Sequence, residues 1–208
     1  MIYNQLHDKV HAIMVEEFLK DLKEWGGILN IEEPFNQYGI RGFPDIVHYH
    51  TINIDVREEL LAVYELKPYI YNLNEDLRQV TTYSNYVIEH FKKKYPSRPI
   101  DVYWTHLVLL NTKQNCDTIL AFQNSFAAVF KNAPGWIHDK YQRFLMLYDP
   151  LENVLDPMPT SVEEFMQRDP CERLRTIHFF EDDIKRLHSD FHYQNASEFY
   201  EKYIKSKA

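Results

Sequence analysis

The sequence predicts a layered α/β or α+β domain, on three observations. Apolar residues at helical spacing open the chain, apolar runs of strand type follow, and a second helical pattern is succeeded by another apolar run. A sheet that meanders at first and is crossed over later, with helices covering it, accounts for that order. At 208 residues with 45% hydrophobic content, the chain can bury a sizeable core in one domain, or in one domain with an appended piece.

From about Asn4 to Trp25, the residues Leu6, Val10, Ile13, Met14, Phe18 and Leu22 recur on one helix face, and Gly26-Gly27 offer a left-handed stop. Ile28 to Phe35 and Ile40 to Tyr49 read as strands, with Asn36, Gln37, Tyr38 and Gly39 as the turn between them. A polar link from Asn53 to Glu59 leads to Leu60–Lys67, a third strand. Asn72-Leu73-Asn74-Glu75 starts a second helix, which Leu77, Val80, Tyr83, Val87, Ile88 and Phe91 continue until Pro96. Ile100 to Leu110 is then a buried strand.

Thr118 to Phe130 has a helical pattern and Arg143 to Tyr148 a strand pattern. Pro150–Pro159 carries three prolines and reads as a connector. Ser161 with Glu164 makes a capping box that opens a mainly helical extension, in which Phe179–His192 and Ser197–Ile204 are the better helices. The expected division is a core over residues 1–150 and an extension over 151–208.

No apolar run approaches the ~20 residues of a membrane-spanning helix, and the start MIYNQLHDKV lacks the basic and apolar regions of a signal peptide. The expectation is an intracellular, cytoplasmic protein with no membrane association. Cys116 and Cys171 have no metal-ligand spacing and are expected as free thiols. A net charge of -8 argues against a broad basic coat for nucleic acid, while leaving room for a local patch. Neither a phosphate-binding G-x-x-x-x-G-K-[ST] loop nor a G-x-S-x-G nucleophile elbow is present, which disfavours an ATPase module and a serine hydrolase.

The chemistry concentrates around Gly42-Phe43-Pro44-Asp45 and Ala62-Val63-Tyr64-Glu65-Leu66-Lys67. Alternation along a strand puts Glu65 and Lys67 on one face, and Asp45 comes near Glu65 if the two strands are neighbours. Clustered carboxylates repel one another unless a cation offsets them, and hard oxygen ligands suit Mg²⁺ or Mn²⁺. An isolated E-x-K is more often a salt bridge at a strand end. Here Pro44-Asp45 precedes it by twenty residues, and Gln79 and Tyr83 follow four apart, on one helix face.

Taken together, Pro44-Asp45, Glu65-Leu66-Lys67 and Gln79-x-x-x-Tyr83 resemble the PD-(D/E)XK motif of the restriction-endonuclease-like nuclease superfamily, with the QxxxY element of its RecB-type branches. The match covers about residues 4 to 111. It implies an α/β fold with a core of helix, three strands, helix and strand, a mixed central sheet flanked by helices. It also implies a metal-dependent nuclease acting on phosphodiester bonds of nucleic acid, DNA above all, with Mg²⁺ or Mn²⁺ as cofactor. In that scheme Asp45, Glu65 and the Leu66 carbonyl ligate the metal, Lys67 acts on the nucleophilic water, and Gln79 and Tyr83 steady the site or contact the backbone. Many members add a carboxylate or a histidine from the first helix. Glu17 and His7 are the candidates here, with His11 one turn after His7 as a further choice.

Arg41 before the Pro44-Asp45 loop and Arg78 beside Gln79 are candidate phosphate contacts. Lys92-Lys93-Lys94 with Arg98 could touch phosphates near the same edge or serve the helix C-terminus. Tyr69 and Tyr71 are available for stacking on bases or for packing. His188 and His192 have the spacing of a zinc pair, but no further cluster completes one. A homodimer, a place in a larger DNA-processing complex and a nuclease fold without turnover are the remaining alternatives.

Overall fold

A computed structural model describes residues 2–24, 26–31, 35–37, 40–42, 44–53, 58–118, 141–151, 154–156 and 193–208. The opening 3.6-residue pattern forms helix α1 (Ile2–Glu24), whose stripe of Val10, Met14, Phe18 and Leu22 is buried. Gly26 and Gly27 follow it with φ of 72° and 89°, as a left-handed stop requires. Gly27 has a second reason to lack a side chain, because a Cβ there would collide with the Tyr49 carbonyl oxygen. His48 closes the corner by placing Nε2 2.6 Å from the Gly26 carbonyl.

The strands are β1 (Ile28–Ile31), β2 (Phe35–Gln37), β3 (Ile40–Gly42), β4 (Ile46–Asn53) and β5 (Glu58–Lys67). Helix α2 (Leu73–Lys94) precedes β6 (Val102–Leu110), β7 (Tyr141–Asp149), β8 (Val154–Asp156) and helix α3 (Ala196–Lys207). Residues 113–118 are also helical. The main sheet runs β1-β4-β5-β6-β7-β8, with β5, β6 and β7 parallel and the other pairs antiparallel. The protein is thus α/β with a mixed sheet.

Three local expectations change. The strand expected over Ile40–Tyr49 is two elements, β3 in the small hairpin and β4 in the main sheet. The strand expected over Ile28–Phe35 ends at Ile31, and Phe35–Gln37 pairs with β3 in a separate hairpin, so Asn36 and Gln37 are strand rather than turn. Pro34 stands in sequence between the two pieces and has no N–H to give a ladder. The segment read as a connector over Pro150–Pro159 contains β8, where Val154 and Leu155 pair with β7. Its prolines flank that strand and do not interrupt it. The helices expected over Thr118–Phe130 and Phe179–His192 and the Ser161 capping box lie outside the described residues, apart from helical Thr118.

Alternation along β5 builds three layers. Leu60, Ala62, Tyr64 and Leu66 pack with Val10, Met14 and Phe18 of α1, whereas Leu61 and Val63 pack with Val87 and Phe91 of α2. Phe199 and Tyr203 of α3 belong to the α1-side cluster, so the last helix shares the core of the first. Full burial of each such Leu or Phe contributes ~1.5–3 kcal/mol. Asn72 caps α2 by accepting from the Glu75 amide at 3.3 Å, and Ser84 hydrogen-bonds Thr105 of β6 at 2.6 Å within the buried layer.

Candidate functional site

The β4–β5 ladder ends at Ile46 opposite Tyr64, so Leu66 extends past the last paired residue of β4. The Asp45 side chain takes over where the ladder stops, with the Leu66 amide donating to Oδ2 at 2.6 Å. Continuing the register by one residue sets Asp45 opposite Glu65. Asp45 Oδ1 lies 3.0 Å from His11 Nε2, which reaches it from α1. Glu65 is 3% exposed, and its Oε1 lies 2.7 Å from Lys67 Nζ. Glu65 Oε2 is buried and accepts no hydrogen bond among the described residues.

Burial and the Asp45 carboxylate hold Glu65 well above the ordinary carboxylate range, against the opposing pull of Lys67 and His11. For Lys67, burial disfavours the charge, but the Glu65 contact and the Asp76 and Asp45 carboxylates outweigh it and raise the ammonium's pKa. His11 is raised in the same way, burial being overcome by its Asp45 hydrogen bond and by the charges of Asp45 and Glu65. Two carboxylates, the Lys67 ammonium and the His11 imidazole thus meet where β5 ends. Half-buried Asp76, in the first turn of α2, is raised above the ordinary carboxylate value by burial, against the opposing pull of Lys67.

Of the residues expected at this site, Asp45, Glu65 and Lys67 are brought together, and Leu66 contributes its amide to Asp45. Gln79 Nε2 donates to the hydroxyl of buried Tyr83 at 2.7 Å, so these two act as one unit on α2. His7 stacks on His11 with ring centroids 6.0 Å apart and meets Tyr69 edge-on at 5.1 Å. It is His11, one turn further along α1, that meets Asp45.

Glu17 is engaged elsewhere. It accepts from Tyr203 of α3 at 2.6 Å and from Lys20 at 2.9 Å, so it ties α1 to the last helix. Arg78 is exposed and donates to Glu75 through Nε at 3.1 Å, on the solvent face of α2. Arg41 pairs through its backbone with Asn36 in the β2–β3 hairpin, and its side chain lies outside the described residues.

The basic run Lys92–Lys94 does not flank this edge. It lies at the far end of α2, nineteen or more residues from Leu73, which is ~28 Å along a helix. There Lys92 covers the Tyr103 ring and Arg98 the Tyr49 ring. His188 and His192 lie outside the described residues.

Asp76 was not anticipated, because in sequence it looks like an ordinary first-turn acid beside the Asn72 cap. Its signal was spacing. It precedes Gln79 by three and Tyr83 by seven, on the same helix face.

Among the described residues, no three His, Cys, Asp or Glu side chains form a metal-holding group. The pair present nevertheless suits a hard divalent ion, since Mg²⁺ is commonly held by one or two carboxylates and completed by water and substrate phosphate. The orphaned Glu65 Oε2 supplies a buried lone pair beside a second carboxylate. No protein-family model matches the chain, and no curated protein or solved structure is significantly similar to it. Among the described residues, no helix is long and apolar enough to cross a membrane.

Proposed function

We propose that this chain is a divalent-metal-dependent nuclease of the restriction-endonuclease-like type, hydrolysing phosphodiester bonds of DNA with Mg²⁺ or Mn²⁺. The observation that carries the reading is the buried, unpartnered Glu65 Oε2 beside Asp45, on a strand that also delivers Lys67. The order of α1, the three antiparallel strands β1, β4 and β5, then α2 and parallel β6 supports the same reading.

Asp45 and Glu65 would hold the ion, which supplies Lewis-acid polarisation of a phosphoryl oxygen and a more acidic water. Lys67, held by Glu65, orients the attacking water and offsets charge that develops on the phosphate. The Gln79–Tyr83 pair steadies the helix face beside it. His11 fixes Asp45 through Oδ1, and the Leu66 amide fixes it through Oδ2.

The test is cleavage of a panel of linear, circular, single-stranded and branched DNA in Mg²⁺ or Mn²⁺. The wild type is expected to cut, and Glu65→Gln and Lys67→Ala to lose cutting while remaining folded. A Glu65→Gln protein that still cuts sinks the assignment. A second reading, a nuclease-fold module that binds nucleic acid or protein without turnover, is favoured by one observation. Lys67 and His11 already offset the two carboxylates without a metal. Calorimetric Mn²⁺ titration separates the two, because that module has no need to bind the ion.

A further inference from the structure

We propose that the open cleft beside this site is a stacking subsite for an unpaired nucleobase, so that the strand next to the scissile phosphate is single-stranded. This inference rests on the nuclease reading, whose substrate class it names. The cleft has a volume of about 270 Å³ and is lined by Leu6, Tyr69, Tyr71, Gln114, Asn195 and Ser197 among others. That is just under the ~300 Å³ at which small-molecule sites begin, a size suited to one base or nucleotide.

A row of rings joins the cleft to the carboxylates. Tyr71 and Tyr69 lie with centroids 5.1 Å apart, Tyr69 and His7 5.1 Å, and His7 and His11 6.0 Å. His11 then contacts Asp45 at 3.0 Å. The tyrosines of this row meet their neighbours edge-on, at 74° and 75°, so a strand that runs from Asp45 and Glu65 past the two histidines is offered an open ring at Tyr71, in the cleft.

Tyr71 is 71% exposed, whereas most large apolar side chains among the described residues are buried. Its exposure is not that of a loose loop. Ile70, beside it, is buried, and its amide donates to Asn115 Oδ1 at 3.2 Å. Asn115, fully buried, donates in turn to the Pro68 carbonyl at 3.0 Å and to the Leu110 carbonyl at 2.8 Å. The loop after β5 is thus pinned to the end of β6, and Tyr71 is presented to solvent by a braced backbone. Asn195 spends its Oδ1 on the Ser197 and Glu198 amides as the cap of α3, which leaves the Gln114 side-chain amide and the Ser197 hydroxyl to meet base edges without selecting one base, while aromatic faces accept any base.

Binding is measured by fluorescence anisotropy in EDTA, where no cleavage occurs, with a labelled single-stranded oligothymidylate and a duplex of the same length. A 2-aminopurine placed in the strand reports stacking by its quenching. Wild type is expected to prefer the single strand and to quench the probe. Tyr71→Ala is expected to weaken single-strand binding by roughly tenfold and to lose the quenching, with Tyr71→Phe within about twofold of wild type and duplex binding unchanged.

No single-strand binding by wild type, an unchanged Tyr71→Ala, or an equal loss on duplex overturns the proposal. Cleavage in Mn²⁺ is scored separately. Tyr71-dependent binding without any cleavage would end the hydrolysis reading and leave the stacking subsite standing. Cleavage with an unchanged Tyr71→Ala would do the reverse.

Discussion

Replacing Asp45 by Asn and by Ala separates what its carboxylate does for the fold from what it does for chemistry. Asp45 Oδ2 accepts from the Leu66 amide at 2.6 Å, at a point where β4 no longer provides a strand partner. Asn retains an oxygen for that amide, whereas Ala leaves a buried N–H unmet. An orphaned buried donor costs ~1–3 kcal/mol, and the bond lost here is charge-assisted, so Asp45→Ala is expected near the top of that range.

At ~2–4 °C per kcal/mol for a chain of this size, that is a fall in Tm of about 4–12 °C. Asp45→Asn is expected to lose about 1 kcal/mol or less, since it gives up the His11 pair and the charge on the amide's acceptor but leaves no buried donor unmet. Mn²⁺ gives the second readout. An ion at one hundred times its Kd stabilises the state that binds it by ~2.7 kcal/mol, about 5–11 °C here. Wild type should show that rise in a thermal melt, and neither variant should show it or cut DNA. The reasoning is refuted if Asp45→Asn keeps the Mn²⁺ shift, or if it melts as low as Asp45→Ala.

Gly26→Ala meets nothing within 4 Å and incurs only the left-handed cost of ~1–2 kcal/mol, whereas Gly27→Ala adds a collision with the Tyr49 carbonyl and is expected to exceed ~4 kcal/mol in urea melts. Equal losses would mean that the close approach to β4 has no energetic weight. Stability is also expected to fall on mild acidification. Burial lowers His48, takes His50 down to about 4 with help from His48, and takes His106 down to about 3. Each has a folded pKa below its unfolded value of ~6.5, so the unfolded chain binds the extra protons and stability is lost as pH drops below that value, by up to ~1.4 kcal/mol per unit for each. Glu65, raised in the fold, opposes one of the three over the window above its ordinary value. A urea midpoint that holds or rises between pH 6.5 and 5 would contradict this balance.

The helices and the central strands were legible because their signals are local. The stripe of α1, the Asn72 cap and the alternation from Leu60 to Lys67 each lie within one element, and the buried faces follow them. β8 was missed because a three-residue strand carries little periodicity and the prolines around it read as a break, whereas the strands read through Pro34 and Pro44 are each divided near their proline, so that β2 and β3 form a hairpin of their own. Asp45 beside Glu65 was legible through order and spacing, which made the two strands neighbours. The choice of His11 over His7 was not, since one turn of α1 separates them and only its packing on the sheet decides which meets Asp45. Glu17 likewise sits near the edge of the apolar face, but what it meets there is Tyr203, 186 residues away in sequence.

The four oxygens of the two carboxylates are not equivalent, and this determines how a cation would enter. Glu65 has one oxygen on Lys67 and one open, so an ion can use Oε2 without displacing the lysine. Asp45 has both oxygens engaged, one by the Leu66 amide and one by His11. The amide belongs to β5 and stays; His11 is the partner that can give way. Because its neighbours favour the charged imidazole, a proton on His11 and a divalent ion on Asp45 compete for the same negative charge. His11→Ala removes that competitor together with a support for Asp45, whereas His11→Gln keeps a neutral donor in reach. The order of metal affinities among wild type, His11→Gln and His11→Ala therefore separates competition from support: both variants tighter than wild type if competition dominates, and Ala the weakest of the three if support does.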